Sequence, residues 1–531
     1  MSARATWRVS AAVMLSRVLG LVREMMFAAL FGGSRWMDCF YLAYRVPNLL
    51  RDLFAEGALS QAFVTTFSKK VKSDGPEQAW VLANRMMTLA AVFMGLVSLV
   101  GIGIAPWIVE LLTSLSKSGE TARAYNPAEI SLMVEMVRVM YPFIALVSLS
   151  ALVMGMLNAR DVFGMPALAS CFFNIGSMLG GAAIGYLMDP TWGPQSLVGF
   201  SWGVVIGGVA QLVCQFPALR AVGYRFVADF KWNDSGVKQI LKLMGPAVIA
   251  ASVTQVNVVV NAMFAYGVGE GAVSWLSYAF RLMQLPIGVF GVAVATVTLP
   301  ALSRAAIQGV GEDFAPTLAK GLKLVMFLVF PATVGLVVLA EPIISLLYER
   351  GQFDAADRMA TAGALRAYGY GLLFYAGLKV LQPAFYAIEK RWLPMIASLI
   401  ALFVNIGCNY VFVFVFKWGH ESLALTTSIV ASLNFVFLYL AMMRYAGDIG
   451  TKGLVLAFLK IGLATVVMGG LCYWGNILLF WELTDLRLPA KMLRLLLLIG
   501  AAAAAYFVTA RLLRVAEVAD VIALVKRKAS R

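Results

Sequence analysis

Apolar runs of about 20 residues, the length that crosses a bilayer as a helix, alternate along the chain with short polar breaks. About fourteen such runs can be marked. The first two, near residues 9–31 and 37–67, are the most polar. The others centre near residues 95, 145, 175, 205, 252, 288, 332, 372, 405, 432, 467 and 502. Many breaks carry Gly or Pro, as at Asp189-Pro190 and Lys417-Trp418-Gly419-His420, where a regular helix is interrupted. None has room for a folded soluble domain. The pattern predicts an all-α polytopic membrane protein of about 14 transmembrane helices.

Composition removes the soluble alternatives. Of 531 residues, 61% are hydrophobic and 13% charged, with a mean hydropathy of +0.82. A soluble domain carries roughly 45–50% apolar and about 25% charged residues. The net charge of +15 does not point to nucleic acid, because the basic residues sit in alternate loops. One set carries Arg4 and Arg8, Lys69, Lys70 and Lys72, Arg160, Arg220, Arg225 and Lys231, Arg304 and Lys320, Lys390 and Arg391, Arg444 and Lys452, and Lys526-Arg527-Lys528. The loops around Asp189 and Glu270 carry none. By the positive-inside rule both termini face the cytoplasm, in agreement with an even number of spans. The five cysteines stand singly in apolar runs, and the only histidine, His420, lies at a span end. Neither residue type predicts a disulfide, zinc or catalytic framework. Arg17 and Arg23 interrupt the first apolar run, so no cleavable signal sequence is expected there.

The two halves resemble each other. Ala159 and Pro166 are seven residues apart, as are Ala387 and Pro394, and each pair is followed by an asparagine, Asn174 or Asn405. Ser68 and Ser303, each before a basic residue at a span end, lie 235 positions apart. An offset of six spans keeps both copies in one orientation, the parallel repeat of transporters that rock two bundles around a central site. The expected organisation is an N-terminal lobe over 1–219 and a second lobe over 220–446. The second opens with an aromatic and basic interfacial linker at 220–235. Two further helices and a basic tail occupy 447–531.

Ionisable residues inside spans carry the candidate chemistry, since each costs about 2.5–3.5 kcal/mol at the centre of a helix. Span one holds Arg17 and Arg23 about 120° apart and about 9 Å along the axis, with Gly20 between them as open backbone. Span two adds Asp38, Arg51, Asp52 and Glu56; span eight adds Arg281 and Gln284. Guanidinium forks match phosphate and carboxylate bidentately, so a cationic cavity for a phosphorylated, anionic substrate is one interpretation. The other is that Glu24, Asp38 and Glu56 pair with these arginines to hold helices together. Lys379 and Lys460 are further intramembrane cations that either face the cavity or snorkel to the interface. Asn405 and Asn409, one turn apart, with Thr426 on the next span, offer neutral oxygens to a monovalent cation or bridge helices. Gly101-Ile102-Gly103 and Gly267-Val268-Gly269 stand outside any nucleotide-binding context.

Several motifs are specific. Ser16-Arg17-Val18-Leu19-Gly20 with Arg23-Glu24, Asp38-Cys39-Phe40, and Arg45-Val46-Pro47-Asn48-Leu49-Leu50-Arg51 resemble the MurJ (MviN) family of lipid II flippases. So do Phe54-Ala55-Glu56-Gly57, Ser274-Trp275, Tyr278, Arg281-Leu282 and Leu299-Pro300-Ala301-Leu302-Ser303. The resemblance covers essentially the whole chain. It implies the fold of the multidrug/oligosaccharidyl-lipid/polysaccharide exporter superfamily, with two six-helix lobes around a cationic cavity and two extra helices forming a lipid-facing groove. It also implies an activity: moving undecaprenyl-diphosphate disaccharide-peptide across the bacterial inner membrane for peptidoglycan synthesis. On that basis Arg17, Arg23, Arg51, Arg281 and Asp38 are the expected substrate contacts, with Gly20, Glu56, Gln284, Lys379 and Lys460 in gating or supporting roles.

Two positions depart from the family pattern. Phe280 and Gln284 stand where some members carry acids beside the span-eight arginine. Asn405 and Asn409 stand where sodium-binding members have an Asn and an Asp, so any sodium site made with Thr426 is expected to be weak. The chain is thus expected to be a monomeric transporter and not an enzyme, using neither nucleotide nor cofactor, with lipid II as ligand and cell-wall synthesis proteins as candidate contacts. The rival functions are export of another lipid-linked oligosaccharide and cation-coupled drug export, the latter favouring an acidic cavity that these arginines do not provide.

Overall fold

The computed structural model describes residues 3–53, 59–117, 123–124, 126–307, 313–483 and 486–519. Among these residues no strand occurs. The chain divides into two compact units, Met1–Ser274 and Trp275–Arg531.

The first unit contains α1 (Ala3–Phe31), α2 (Arg35–Leu50), α3 (Leu59–Ser73), α4 (Gly75–Leu112) and the single turn α5 (Ser114–Lys117). It continues through α6 (Pro127–Met140), α7 (Phe143–Ala159), α8 (Gly164–Met188), α9 (Pro194–Val213), α10 (Phe216–Ala221) and α11 (Ser235–Val268). Side-chain caps set several starts. Ser34 Oγ accepts from Met37 N at 3.2 Å, Asn126 Oδ1 from Ala128 N at 3.0 Å, and Asp234 Oδ1 from Gly236 N at 2.8 Å. Each satisfies an amide that the first helical turn cannot.

The seam between α8 and α9 is made of glycine. A Cβ on Gly203 would fall 2.6 Å from Gly181 Cα, and one on Gly207 would fall 2.7 Å from Phe173 O. Small residues let two membrane helices approach to backbone contact. Elsewhere, Phe63, Phe67, Leu82, Met86, Met156 and Tyr224 form a buried apolar cluster that joins α3, α4, α7 and the linker after α10. That linker is pinned along α4. Val227 N donates to Asn84 Oδ1 at 3.2 Å, and Arg85 clasps Asp229 at 2.9 Å and Asp234 at 2.7 Å. The backbone N–H of Lys231 and the Arg85 guanidinium hold the Asp229 carboxyl below its ordinary range. Phe226, Val227 and Phe230 stay exposed.

The second unit begins within α12 (Ala272–Pro286), which runs through a π-turn at Ile287–Gly291 into α13 (Val292–Ile307). Then come α14 (Phe314–Val338), α15 (Ala340–Leu347), α16 (Ala355–Ala387), α17 (Trp392–Tyr410), α18 (Glu421–Ala446), α19 (Thr451–Leu479) and α20 (Leu488–Leu512). A second π-turn, Val411–Val415, ends α17. Ile461, Met468, Leu495, Leu498 and Tyr506 bury α19 and α20 against Phe327 of α14. Tyr506 Oη donates to Phe327 O at 2.7 Å.

Among the described residues eleven helical stretches are long and apolar enough to cross a membrane. The other expected spans coincide with α1, α2 with α3, and α16, which are helical but more polar; a total of fourteen is consistent with this. The protein is a multi-pass, all-α membrane protein. Its division by contacts falls later than the expected 219/220 boundary, because α11 packs on α2, α3, α4 and α5.

Candidate functional site

The N-terminal arginines lie on α1 and just beyond α2. Helix α1 is seated on α8: Asn174 Nδ2 donates to Ser16 O at 3.3 Å, and Cys171 Sγ lies 3.6 Å from Ala12 O. Arg17 follows Ser16 and is half-buried. Among the described residues no acid or carbonyl accepts from its guanidinium. Gly20, one turn on, is itself buried, yet a Cβ there would meet nothing within 4 Å. The expected open backbone beside the arginine is present.

Arg23 is held differently. Its Nη2 lies 3.1 Å from Glu24 Oε1, and its guanidinium sits 5.7 Å from the Phe173 ring centroid. Glu24, which is buried, also accepts from Tyr41 Oη of α2. Arg51 opens a π-turn that runs to Leu53. Its Nε and Nη2 both donate to Asp52 Oδ1, at 3.1 and 2.8 Å, and Gln255 Nε2 of α11 donates to Asp52 Oδ2 at 3.2 Å. Ideal α-helical geometry would point Arg51 about 100° away from Asp52. The long arginine arm folds back across that step, as the arm of Arg23 does to Glu24 on α1. Of three arginines read as one cationic set, two are partly neutralised by the next residue in the chain.

Asp38 does not join them, which corrects its expected role as a substrate contact. It is fully buried and its two oxygens are taken by protein donors. Oδ2 accepts from Arg123 Nη1 at 2.8 Å and Gly271 N at 2.7 Å; Oδ1 accepts from Ser274 N at 2.9 Å and Ser274 Oγ at 2.8 Å. Asp38 thereby caps the start of α12, where a negative charge complements the helix dipole. Arg123 also pairs with Glu129, stands 3.9 Å over the Tyr266 ring, and Tyr266 Oη donates to Glu129 Oε2 at 2.7 Å. Arg35 adds a contact to Glu129 at 3.7 Å and a pair with Glu270. The side chains of Asp38, Arg123 and Glu129 are 0–1% exposed. Sequence reasoning missed Arg123 and Glu129, because both lie where the chain leaves or enters a span and neither interrupts an apolar run.

In the second unit, Arg281 lies half-buried on α12 and Gln284 is exposed one turn later. Phe280 packs edge-on against Tyr368, with ring centroids 5.5 Å apart. Lys379 is exposed on α16 and Lys460 half-buried on α19. Glu56 lies outside the described residues, as does the tail Lys526-Arg527-Lys528.

Asn405 and Asn409 are both fully buried on α17, and Asn409 Nδ2 donates to Asn405 Oδ1 at 3.0 Å. Thr426 of α18 is buried too, while Ser428 spends its hydroxyl on Ala367 O at 2.7 Å. Hard cations want several oxygens and a neutralising carboxylate. Here the nearest amide oxygen is already accepting from its neighbour. Among the described residues no group of three or more His, Cys, Asp or Glu could hold a metal ion. The bond lies within α17, and the Thr426 hydroxyl is buried with no hydrogen-bond partner among the described residues.

A family model described as lipid II flippase MurJ matches residues 27–488. The lipid II flippase MurJ of Burkholderia cenocepacia is 34% identical over 484 residues, covering 90% of this chain and 91% of that protein. The probable lipid II flippase MurJ of Rhizobium tropici is 33% identical over 527 residues, covering 98% and 96%. A solved structure described as lipid II flippase MurJ, inward closed conformation, matches with a TM-score of 0.73 at 25% identity, covering 94% of this chain and 98% of that one. An inward-facing multidrug resistance MATE family transporter of the MOP superfamily matches with a TM-score of 0.66 at 16% identity, covering 83% and 98%. This last likeness speaks to the fold alone.

Proposed function

Because the chain belongs to the lipid II flippase MurJ family, we propose that it carries lipid II from the cytoplasmic to the periplasmic leaflet by alternating access. It is a transporter, not an enzyme. The observation that carries the binding step is Arg17: a half-buried guanidinium on an intramembrane helix, beside open backbone at Gly20, with no protein acceptor among the described residues. A guanidinium with no acceptor among the described residues is costly inside a span, and a diphosphate supplies acceptors for it.

Arg23 and Arg51 act second in this proposal. Glu24 and Asp52 keep them extended and partly neutral until the diphosphate competes for their donors. Arg281 contributes the contact from α12, with Gln284 as a neutral hydrogen-bonding neighbour. Asp38 positions α12 and does not touch substrate. The proposed setting is the bacterial inner membrane, with both termini cytoplasmic, a monomeric chain, and contacts to cell-wall synthesis proteins. Membrane potential supplies the bias between states, and sodium is dispensable; the mutual hydrogen bond of Asn405 and Asn409 supports this.

The test replaces Arg17 with Ala in cells that depend on this chain for lipid II export and measures lipid II at the outer leaflet. Arg17→Ala should lower the rate at which lipid II is exposed at least ten-fold while the protein reaches the membrane in normal amount. Arg17→Lys should not restore it, because an ammonium keeps the charge but loses the fork. Normal exposure in Arg17→Ala would remove the basis of the proposed binding step.

A further inference from the structure

The acids beside Arg23 and Arg51 are held in the same way, each by a residue from another helix. On α1, Glu24 is buried and meets Arg23 through Oε1 alone, 3.1 Å from Nη2. Its Oε2 accepts from Tyr41 Oη of α2. Just past α2, Asp52 meets Arg51 through Oδ1 alone, which accepts from both Nε and Nη2. Its Oδ2 accepts from Gln255 Nε2 of α11 at 3.2 Å.

A guanidinium and a carboxylate commonly meet as a fork, with two parallel N–H···O bonds onto two oxygens. Neither pair does so here. The consequence shows at Arg23, whose side chain is 13% exposed and whose Nε is buried with no hydrogen-bond partner among the described residues. Oε2 of Glu24 is the acceptor that would complete a fork with this Nε, and Tyr41 holds it. A buried N–H left unpaired is unfavourable, so an Oε2 released from Tyr41 would turn to it.

We propose that Tyr41 and Gln255 are positioning residues for the substrate. Each withholds one carboxylate oxygen, so that Glu24 and Asp52 hold their arginines through the other oxygen only; this rests on the proposal that both arginines contact the diphosphate. A forked pair must break both of its bonds before the arginine can turn to a phosphate oxygen, whereas a pair closed through one oxygen gives way more readily. Tyr41 and Gln255 act through the acids, and their effect therefore vanishes once an amide with a single oxygen replaces the carboxylate.

Isothermal calorimetry on the purified full chain tests this, with farnesyl diphosphate, a soluble prenyl diphosphate, as the probe. Tyr41→Phe, which removes one hydroxyl and keeps the ring, should raise Kd roughly three- to ten-fold, the net worth of one hydrogen bond, with melting near wild type. In a Glu24→Gln background the same substitution should leave Kd unchanged, whereas a packing role would act equally in both backgrounds. Gln255→Leu should weaken binding over the same range and lose its effect alongside Asp52→Asn, which decides the matter if Tyr41→Phe does not fold. A wild-type Kd in folded Tyr41→Phe or Gln255→Leu, or an equal loss in the amide backgrounds, would overturn the inference and leave the lipid II assignment standing. Absence of binding by the wild-type chain would remove both.

Discussion

Asp38 and Arg17 are both ionisable residues inside the first two spans, and their surroundings are opposites. Each Asp38 oxygen accepts two protein donors, whereas Arg17 has no acceptor among the described residues. The difference separates a charge used to build from a charge kept for a ligand. A buried charge whose partners all come from the chain can only hold the chain together. A half-buried guanidinium with no acceptor among the described residues can take its acceptors from a ligand. Arg23 and Arg51 lie between these extremes, each sharing an acid from the adjacent residue.

The comparison breaks most visibly at the built charge. Arg123→Ala leaves Asp38 buried without its cation and Glu129 with only the 3.7 Å ion-pair contact to Arg35, and removing one partner of a buried pair costs about 3–5 kcal/mol. Thermal melting of the purified protein should fall sharply, and Asp38→Asn should fall less, because an amide still accepts from Ser274. Equal melting of Arg123→Ala and wild type would show that the network contributes little.

Next in size is the kept charge. In Arg17→Ala the melt should stay near wild type while transport rate drops roughly 10- to 100-fold, the value of one charge-assisted bond to a diphosphate at about 1.5–3 kcal/mol. A large loss of melting temperature would move Arg17 into the structural class.

Glu24→Gln sharpens the middle case. Removing that acid should strengthen binding of a soluble diphosphate analogue by at least a few-fold, since unit charges about 4 Å apart interact by about 1 kcal/mol in water and by more where one of them is buried. Unchanged or weaker binding, read by isothermal calorimetry, would mean that Glu24 is needed to aim Arg23 and not merely to neutralise it.

A smaller effect comes from His420, which lies just before α18 with its ring 4.9 Å from that of Trp275 and its Nε2 2.9 Å from Ala360 O. Burial pushes the imidazole below its ordinary value. The unfolded chain then binds the proton more readily, so stability should fall as pH drops below about 6.5. His420→Gln should flatten that part of the melting profile between pH 7 and pH 5. An unchanged slope would assign the acid sensitivity to other groups.

The smallest expected response is to sodium. Replacing it with choline at fixed potential should leave transport in vesicles unchanged. A strict sodium requirement that disappears in Asn405→Ala would show that the asparagine pair opens to coordinate an ion.

Most of the architecture was legible because bilayer length and hydropathy leave few alternatives for an apolar run. The short motifs around Arg17, Arg51 and Arg281 also marked the family. Partnership was less legible. Asp38 looked like a companion of the arginines because it shares a span with Arg51, but its cation comes from Arg123, 85 residues away. Periodicity reports which face a residue occupies, and cannot say which distant loop arrives there. Arg51 and Asp52 failed for a local reason: a long arginine arm folds back onto the next residue across the step of about 100°, as Arg23 does onto Glu24 in regular helix.

The glycine seam between α8 and α9 has a mechanical consequence. Where side chains interdigitate, two helices can slide by exchanging rotamers, each step costing little. Gly181 against Gly203 and Gly207 against Phe173 O leave no rotamers to exchange. The pair therefore acts as one stiff beam, and strain reaching either helix must be carried by both or released where α1 rests on α8.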